Sequence, residues 1–239
     1  MKTIKHFILG AIVLLFSTTA CIDDFTIREN GLETTEKRNT SDFDAVKSSG
    51  DFVIHITKGD ELKVIVDAEQ NIIPYIETRV SGNALHVGIM GLHNINNRLP
   101  MEVHITTPSL KGINQSGSGI ITTDHFTADH LNISISGSGY ISTEADAEEV
   151  DAFISGSGRL ELSGVANTAN FDISGSGKID SYDLVLRNCI AKISGSGSMW
   201  VNAEQHLSAA ISGSGNVFYY GNPEIEVHIS GSGNVIHKD

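Results

Sequence analysis

The sequence predicts an all-β protein whose C-terminal half is a right-handed parallel β-helix (β-solenoid) with 18 to 20 residues in each coil. A motif that recurs seven times at a nearly constant period is typical of a structural repeat. Apolar and polar residues alternate beside each repeat, which indicates strands, and no amphipathic helix pattern competes with them. The motif is SGSG, and it begins at Ser116, Ser136, Ser155, Ser174, Ser194, Ser212 and Ser230.

Residues 1–20 have the pattern of a secretory signal peptide. Lys2 and Lys5 precede the apolar run FILGAIVLLF, and the small residues STTA lead directly to Cys21. The run is too short for a lasting transmembrane helix. The arrangement resembles a bacterial lipobox, so we expect cleavage before Cys21 and attachment of lipid to its thiol. The alternative is an ordinary signal peptide followed by an incidental cysteine.

Residues 21–41 are predicted to be the lipidated cysteine and a flexible tether. They are polar, carry both signs of charge and show no periodicity. Asp23 and Asp24 resemble the acidic surface-export signal of Bacteroidetes-type lipoproteins. We therefore expect an outer-membrane lipoprotein exposed at the cell surface, with the periplasmic face as the alternative.

Residues 42–110 are predicted to be an N-terminal β region that caps the solenoid formed by residues 111–239. Segments such as DFVIHIT and ELKVIVD have the period of two that strands show, and turn signals separate them. The Ser-Gly pairs at Ser49 and Ser81 are interpreted as diverged versions of the later motif. The coils before residue 111 are then longer and irregular.

The repeats, aligned on the first serine of SGSG, have apolar residues at fixed offsets. The preceding residue is isoleucine in six of seven repeats, and the residue five positions later is always apolar. Each coil is expected to hold two short strands, joined by SGSG at one corner and by a variable loop at the other. By alternation the serines point outward and the glycines point inward, at a corner too narrow for a side chain. Cys189 falls on an inward position and is interpreted as a packed thiol. The corner glycines are Gly117, Gly119, Gly137, Gly139, Gly156, Gly158, Gly175, Gly177, Gly195, Gly197, Gly213, Gly215, Gly231 and Gly233.

The sequence predicts no catalytic residue, no metal and no cofactor. The stretch SGSGK, ending at Lys178, lacks the other residues of a phosphate-binding loop, and the hydrolase, zincin and redox motifs are missing. The net charge of −13 argues against a nucleic-acid partner. One cluster resembles a metal site, but we interpret it as a solvated polar loop: Asp124, His125, Asp129 and His130.

One pair of acidic residues leaves an enzymatic alternative open. Glu161 and Asp180 share an outward position in adjacent coils, where paired carboxylates could act as acid and base. Parallel β-helices that cleave acidic polysaccharides also carry carboxylates on an outer face. Arg159 and Lys178 are near enough in sequence to neutralise these acids instead.

The same outward column becomes apolar in the last three repeats, and we predict an interface there. It continues through Trp200, Phe218 and Ile236, with Tyr220 on the same parity. The sequence ends at Asp239, half a coil after the last SGSG, so we expect another element to cover this end. Three occupants stay open: the N-terminal strands or a loop of the same chain, a second copy that makes a homo-oligomer, or a glycan or surface-protein ligand stacked on Trp200.

The entry to the SGSG array carries a family resemblance. The stretch LKGINQSGSG contains Gly112, Ile113 and Asn114 and resembles the signature of the autotransporter adhesin head GIN domain. The FDAVKSSGDFVIHI opening and the VSGNALHV hairpin are also similar, so the resemblance covers residues 42–239. It implies a β-helical adhesin of the cell envelope and supplies no catalytic residues. We therefore expect a lipid-anchored binding or adhesion module, with a polysaccharide-active enzyme or a periplasmic scaffold as alternatives.

Overall fold

The computed structural model describes residues 26–239, in which all regular secondary structure is strand apart from one turn of 3-10 helix at Ile73–Tyr75. Within these residues no helix has the length and apolarity needed to cross a membrane. The predicted signal peptide and Cys21 lie outside the described residues. The strands are β1 (Thr26–Arg28), β2 (Glu33–Arg38), β3 (Ala45–Gly50), β4 (Val53–Lys58), β5 (Lys63–Glu69), β6 (Ile76–Ser81), β7 (Ala84–Ile89), β8 (Asn94–Asn96), β9 (Glu102–Thr107), β10 (Gly112–Gly117), β11 (Ile120–Gly137), β12 (Tyr140–Gly156), β13 (Arg159–Gly175), β14 (Lys178–Gly195), β15 (Ser198–Gly213), β16 (Asn216–Tyr220), β17 (Glu224–Gly231) and β18 (Asn234–His237).

The predicted parallel β-solenoid is confirmed, and each of the strands β11 to β15 makes one coil. These strands contain 16 to 18 residues and pair in parallel with their neighbours in chain order. The expectation of two short strands in each coil is wrong. The pairing between coils continues around the bend opposite the SGSG corner, with shifts of register such as the one between Glu161 and Gly164. A β-bulge bends a strand in this way without ending its pairing.

The predicted apolar columns lie inside the solenoid. Ile154, Ile173 and Ile193 pair in register in consecutive coils, and each is at most 2% exposed. Leu160 and Ile179, from the column after the corner, are fully buried. Burial of one such side chain contributes about 1.5–3 kcal/mol relative to full exposure, so these columns stabilise the contact between coils.

The two glycines of each SGSG corner are required for different reasons, as Gly175 and Gly177 illustrate. A Cβ on Gly177 would point into the core, 2.6 Å from Cγ2 of Ile154. Gly175 has φ +127°, and its Cβ would instead lie 2.5 Å from the backbone oxygen of Gly156 in the preceding coil. The expectation that both glycines face the core is therefore wrong for the first one, whose missing side chain allows neighbouring coils to approach.

Backbone hydrogen bonds join the corners of neighbouring coils. The amide of Ser176 donates to the carbonyl oxygen of Gly156 at 2.8 Å, and the amide of Lys178 donates to that of Gly158 at 2.9 Å. Equivalent pairs recur from coil to coil along the array. The corner is therefore a hydrogen-bonded ladder, although its Gly-Ser composition is that of a flexible linker.

The first coil of the stack comes from the N-terminal region. Ser49 and Gly50 end β3 and pair in register with Ser116 and Gly117, so this Ser-Gly pair is a diverged corner. The same interpretation of Ser81 is wrong. Ser81 ends β6, which forms an antiparallel hairpin with β7.

Antiparallel strands close the N-terminal end of the solenoid. Strand β7 pairs in parallel with β3, and β6 then pairs with β7 in the opposite direction. On the other side β9 pairs in parallel with β4, and β5 pairs antiparallel with β9. This change of direction ends the parallel stack, and the segment between β5 and β6 buries Ile72 and Ile73 in the core at this end.

The prediction that residues 21–41 form a flexible tether is wrong for the segment that forms β2. Glu33–Arg38 pairs antiparallel with β5 over six residues. Just before β2, the amide of Gly31 donates a hydrogen bond to the fully buried carboxylate of Glu69. The same carboxylate also accepts a hydrogen bond from the amide of Arg98. Most side chains of β2 face solvent, so its hydropathy has no strand period, and the sequence pattern did not reveal it.

Cys189 lies in the core on β14 and is 2% exposed, as the alternation predicts. Burial raises the pKa of its thiol to about 12. The thiolate is the reactive form of cysteine, so this residue acts as a packing group.

We expect Gly175→Ala to lower the free energy of unfolding by about 2–4 kcal/mol, through a strained backbone angle and a clash between coils. The matched control is Ser174→Ala, which alters an exposed side chain at the same corner and should cost less than about 0.5 kcal/mol. Denaturant unfolding followed by circular dichroism measures both values. A larger loss for the serine variant would contradict the assignment of the corner.

Candidate binding surface

The outward column of the last coils forms a strip of aromatic and apolar side chains on the surface. Trp200 on β15 pairs in register with Phe218 on β16, which pairs with Ile236 on β18. The Trp200 and Phe218 rings are stacked, with centroids 4.9 Å apart and planes 21° apart. All three side chains are half-buried, because they lie on the outer face of their strands.

Two tyrosines extend this strip along the strands. Tyr220 lies on β16, and its ring packs edge-on against Tyr182 of β14 with centroids 4.3 Å apart. Tyr182 is exposed and was not part of the predicted interface. It follows Asp180 by two residues, as Tyr220 follows Phe218, so the repeat alignment contained the signal. We call Trp200, Phe218, Tyr220, Ile236 and Tyr182 the aromatic strip.

Two lysines complete the stack of rings. The Lys178 ammonium lies 4.1 Å from the centroid of the Trp200 ring, and the Lys238 ammonium lies 5.2 Å from that of Phe218. Cations over aromatic faces are attracted by the negative potential of the ring. These lysines are far apart in sequence, and only the coiling of the chain brings them to the same surface.

The order Lys178, Trp200, Phe218, Lys238 leaves ring edges, rather than ring faces, available to a ligand. Lys178 approaches Trp200 from the β14 side and Phe218 approaches it from the β16 side. One of the three predicted occupants is a ligand stacked flat on Trp200. Such a ligand would have to displace either Lys178 or Phe218 from the ring. Aromatic edges carry partial positive charge, so the strip presents electropositive edges beside two ammonium groups.

The N-terminal strands do not cover the aromatic strip, although this was one predicted occupant of the patch. β3 and β4 pair with β10 and β11, at the other end of the stack from β16 and β18. The strip is therefore free of the N-terminal region as far as residues 26–239 are concerned.

The acidic pair in the same column is neutralised locally. Glu161 forms an ion pair with Arg159 and accepts a hydrogen bond from the Tyr140 hydroxyl. Asp180 lies 3.1 Å from the Lys178 ammonium. Burial, followed by the hydrogen bond to Glu161, raises the pKa of Tyr140. Both carboxylates thus have cationic partners on their own strands. This supports the interpretation that Arg159 and Lys178 neutralise these two acids.

The histidine-rich segment lies within β11 rather than in a loop, and its side chains point to separate partners. His125 lies 3.4 Å from Glu144 and 3.2 Å from Asp146, whereas His130 lies 3.0 Å from Asp151. Among residues 26–239, no three His, Cys, Asp or Glu side chains converge as a metal site requires.

Comparisons with known proteins agree with this architecture. The family model described as "Putative auto-transporter adhesin, head GIN domain" matches residues 42–223. No protein of curated function matches the sequence significantly.

Several solved structures share the fold. A putative adhesin from Bacteroides fragilis has a TM-score of 0.84 at 24% identity, covering 89% of this chain and 100% of that one. A putative lipid binding protein from Parabacteroides distasonis has a TM-score of 0.75 at 24% identity, covering 90% and 100%. A putative adhesin from Parabacteroides merdae has a TM-score of 0.74 at 23% identity, covering 90% and 99%. At these identities the likeness establishes the fold alone.

Proposed function

Because the chain belongs to the auto-transporter adhesin head GIN-domain family, we propose that it is a non-catalytic adhesion module of the bacterial envelope that binds an acidic glycan. The binding surface is the aromatic strip together with Lys178 and Lys238. The observation that carries this proposal is the ordered stack of two rings between two ammonium groups.

The charge of this stack differs from that of the protein as a whole. The chain has a formal net charge of −13, whereas this surface carries electropositive ring edges and two ammonium groups, of which Lys178 also pairs with Asp180. Carboxylate or sulfate groups of a glycan complement such a surface. Aromatic side chains also supply the largest contact energies in interfaces, at a small cost in conformational entropy.

The tyrosine pair would add polar contacts to this recognition. The hydroxyl groups of Tyr182 and Tyr220 can donate and accept hydrogen bonds, as sugar hydroxyls do. Their rings contact one another, which restricts their movement before a ligand arrives. A preformed surface binds with less loss of side-chain entropy.

The envelope location rests on the N-terminal sequence. We propose that Cys21 carries the lipid and holds the module at the outer membrane, facing the cell surface. Acyl burial contributes about 0.8 kcal/mol per methylene group, so lipid attachment is a sufficient physical basis for membrane association.

The binding proposal predicts retention of acidic glycans by the purified chain. On a glycan array we expect uronate- or sulfate-bearing glycans to be retained more strongly than neutral ones, less so at high salt, and without cleavage. Trp200→Ala should weaken retention about tenfold or more, and Lys238→Ala should weaken it less. The matched control is Phe153→Ala, which removes an exposed aromatic from another face of the solenoid.

Three outcomes would count against this proposal. Equal retention of neutral and acidic glycans would contradict the role of charge. An equal loss in the Phe153 control would contradict the location of the site. Release of shortened glycans would favour the enzymatic alternative.

The anchoring proposal predicts the behaviour of Cys21→Ser in the native cell. This variant should remain an uncleaved or soluble precursor and leave the detergent phase on phase partitioning. The unsubstituted chain, compared in the same fractionation, should enter the detergent phase. Detergent-phase recovery of a variant that has lost residues 1–20 would contradict lipid attachment at Cys21.

A further inference from the structure

The apolar positions of β17 are uncovered, although they face the interior of the solenoid. Ile225, Val227 and Ile229 are 46%, 38% and 43% exposed. Their register partners in β15 are Leu207, Ala209 and Ile211, which are 1–2% exposed. The residues in the two strands face the same way, so the difference comes from the lack of a covering coil beyond β17 among residues 26–239.

The backbone of β17 is also unpaired on one side in the described part of the chain. It pairs in parallel with β15, and β18 pairs with β16, so both strands form the last row of the stack. An exposed strand edge with apolar inward residues is a template for further strand pairing. The opposite end of the solenoid is closed by antiparallel strands, as described above.

The sequence of β17 is complementary to itself in the antiparallel direction. A two-fold axis through Val227 would place Ile225 opposite Ile229 of the other copy, and Val227 opposite its own counterpart. On the outer face, Glu226 would lie opposite His228 of the other copy, forming a favourable polar pair. Within one chain these two side chains are already 3.8 Å apart.

Other registers do not have this complementarity. A shift of the symmetry axis to Glu226 would place two glutamates opposite each other, and a shift to His228 would place two histidines together. An axis between two residues would pair inward side chains with outward ones, which strand alternation forbids. Only the register centred on Val227 pairs all three apolar residues with apolar residues.

We propose that β17 pairs with β17 of a second copy of this chain, antiparallel and centred on Val227, to make an end-to-end homodimer. The two-fold axis lies normal to the sheet, so both copies keep their apolar residues on the inner side and the two cores become continuous. This interface is isologous and leaves neither copy of β17 with an unpaired edge. It is independent of the glycan proposal, because it uses a different strand.

The dimer would place the two N-terminal caps at its far ends, since each cap closes the other end of its own solenoid. If each copy is anchored through Cys21, as proposed above, the anchors point away from each other. Such a dimer is suited to joining two membrane surfaces, and it also presents two aromatic strips on one particle, which increases avidity.

Cysteine cross-linking of the full chain tests the register. Val227→Cys should form a disulfide-linked dimer on mild oxidation, because directly opposed residues bring their Cβ atoms within disulfide range. Ile225→Cys and Ile229→Cys should each cross-link at least about tenfold less alone, and efficiently when the two proteins are mixed. The unsubstituted chain controls for Cys21 and Cys189. Equal cross-linking in the mixture and in the separate variants would overturn the register.

Charge reversal tests the interface without cysteines. In the His228→Glu variant the new carboxylate would lie opposite Glu226 of the other copy, and repulsion should weaken dimerisation about tenfold or more. Sedimentation of the detergent-solubilised full chain measures this change. The Glu226→Lys/His228→Glu double variant should restore the dimer. Both side chains are exposed, so the fold should be unaffected. A monomeric unsubstituted chain would overturn the proposal, and this is also the result expected if another segment of the same chain covers β17. A double variant that dimerises no better than the single variant would overturn it as well.

Discussion

The backbone hydrogen bond between successive corners is the contact on which the rest of the structure depends. In six consecutive corners the amide of the second serine donates to the carbonyl oxygen of the first glycine in the preceding coil, at 2.8–2.9 Å. A Cβ on the first glycine of the same six corners would lie 2.3–2.7 Å from this oxygen. Any side chain there would therefore separate the coils at their narrowest point. The recurrence of glycine at this position of every SGSG corner follows from this requirement.

The corner ladder also determines which surface features are possible. Because every coil stacks in register on the last, residues at one offset from the corner form a straight column, as Asp180, Trp200 and Phe218 do. Residues in an outward column can change from polar to apolar without affecting the interior, because the interior is filled by the alternate residues of each strand. The fold thus provides an outer face on which stacked rings and lysines are held in place.

The repeat made most of the solenoid predictable from sequence, including the inward columns and the positions of the corner glycines, although not the direction of the first glycine in each corner. The prediction was less successful where partners are distant in sequence. Lys178 and Lys238 meet the aromatic strip only after coiling, and β2 is a polar edge strand whose pairing with β5 leaves no hydropathy signal. Ser81 shows the opposite error, because a Ser-Gly pair in a hairpin turn looks the same in sequence as one at a corner.

Amide hydrogen exchange at the corners tests the central claim most directly. If the corners are hydrogen-bonded ladders, the amides of Ser157 and Ser176 should exchange slowly, although their side chains are not buried. We expect them to exchange at least about a hundredfold more slowly than the amide of Leu92, in the exposed turn after β7. Equal rates at these positions would show that the Gly-Ser corners are flexible connections, and would contradict the account of how the coils are held together.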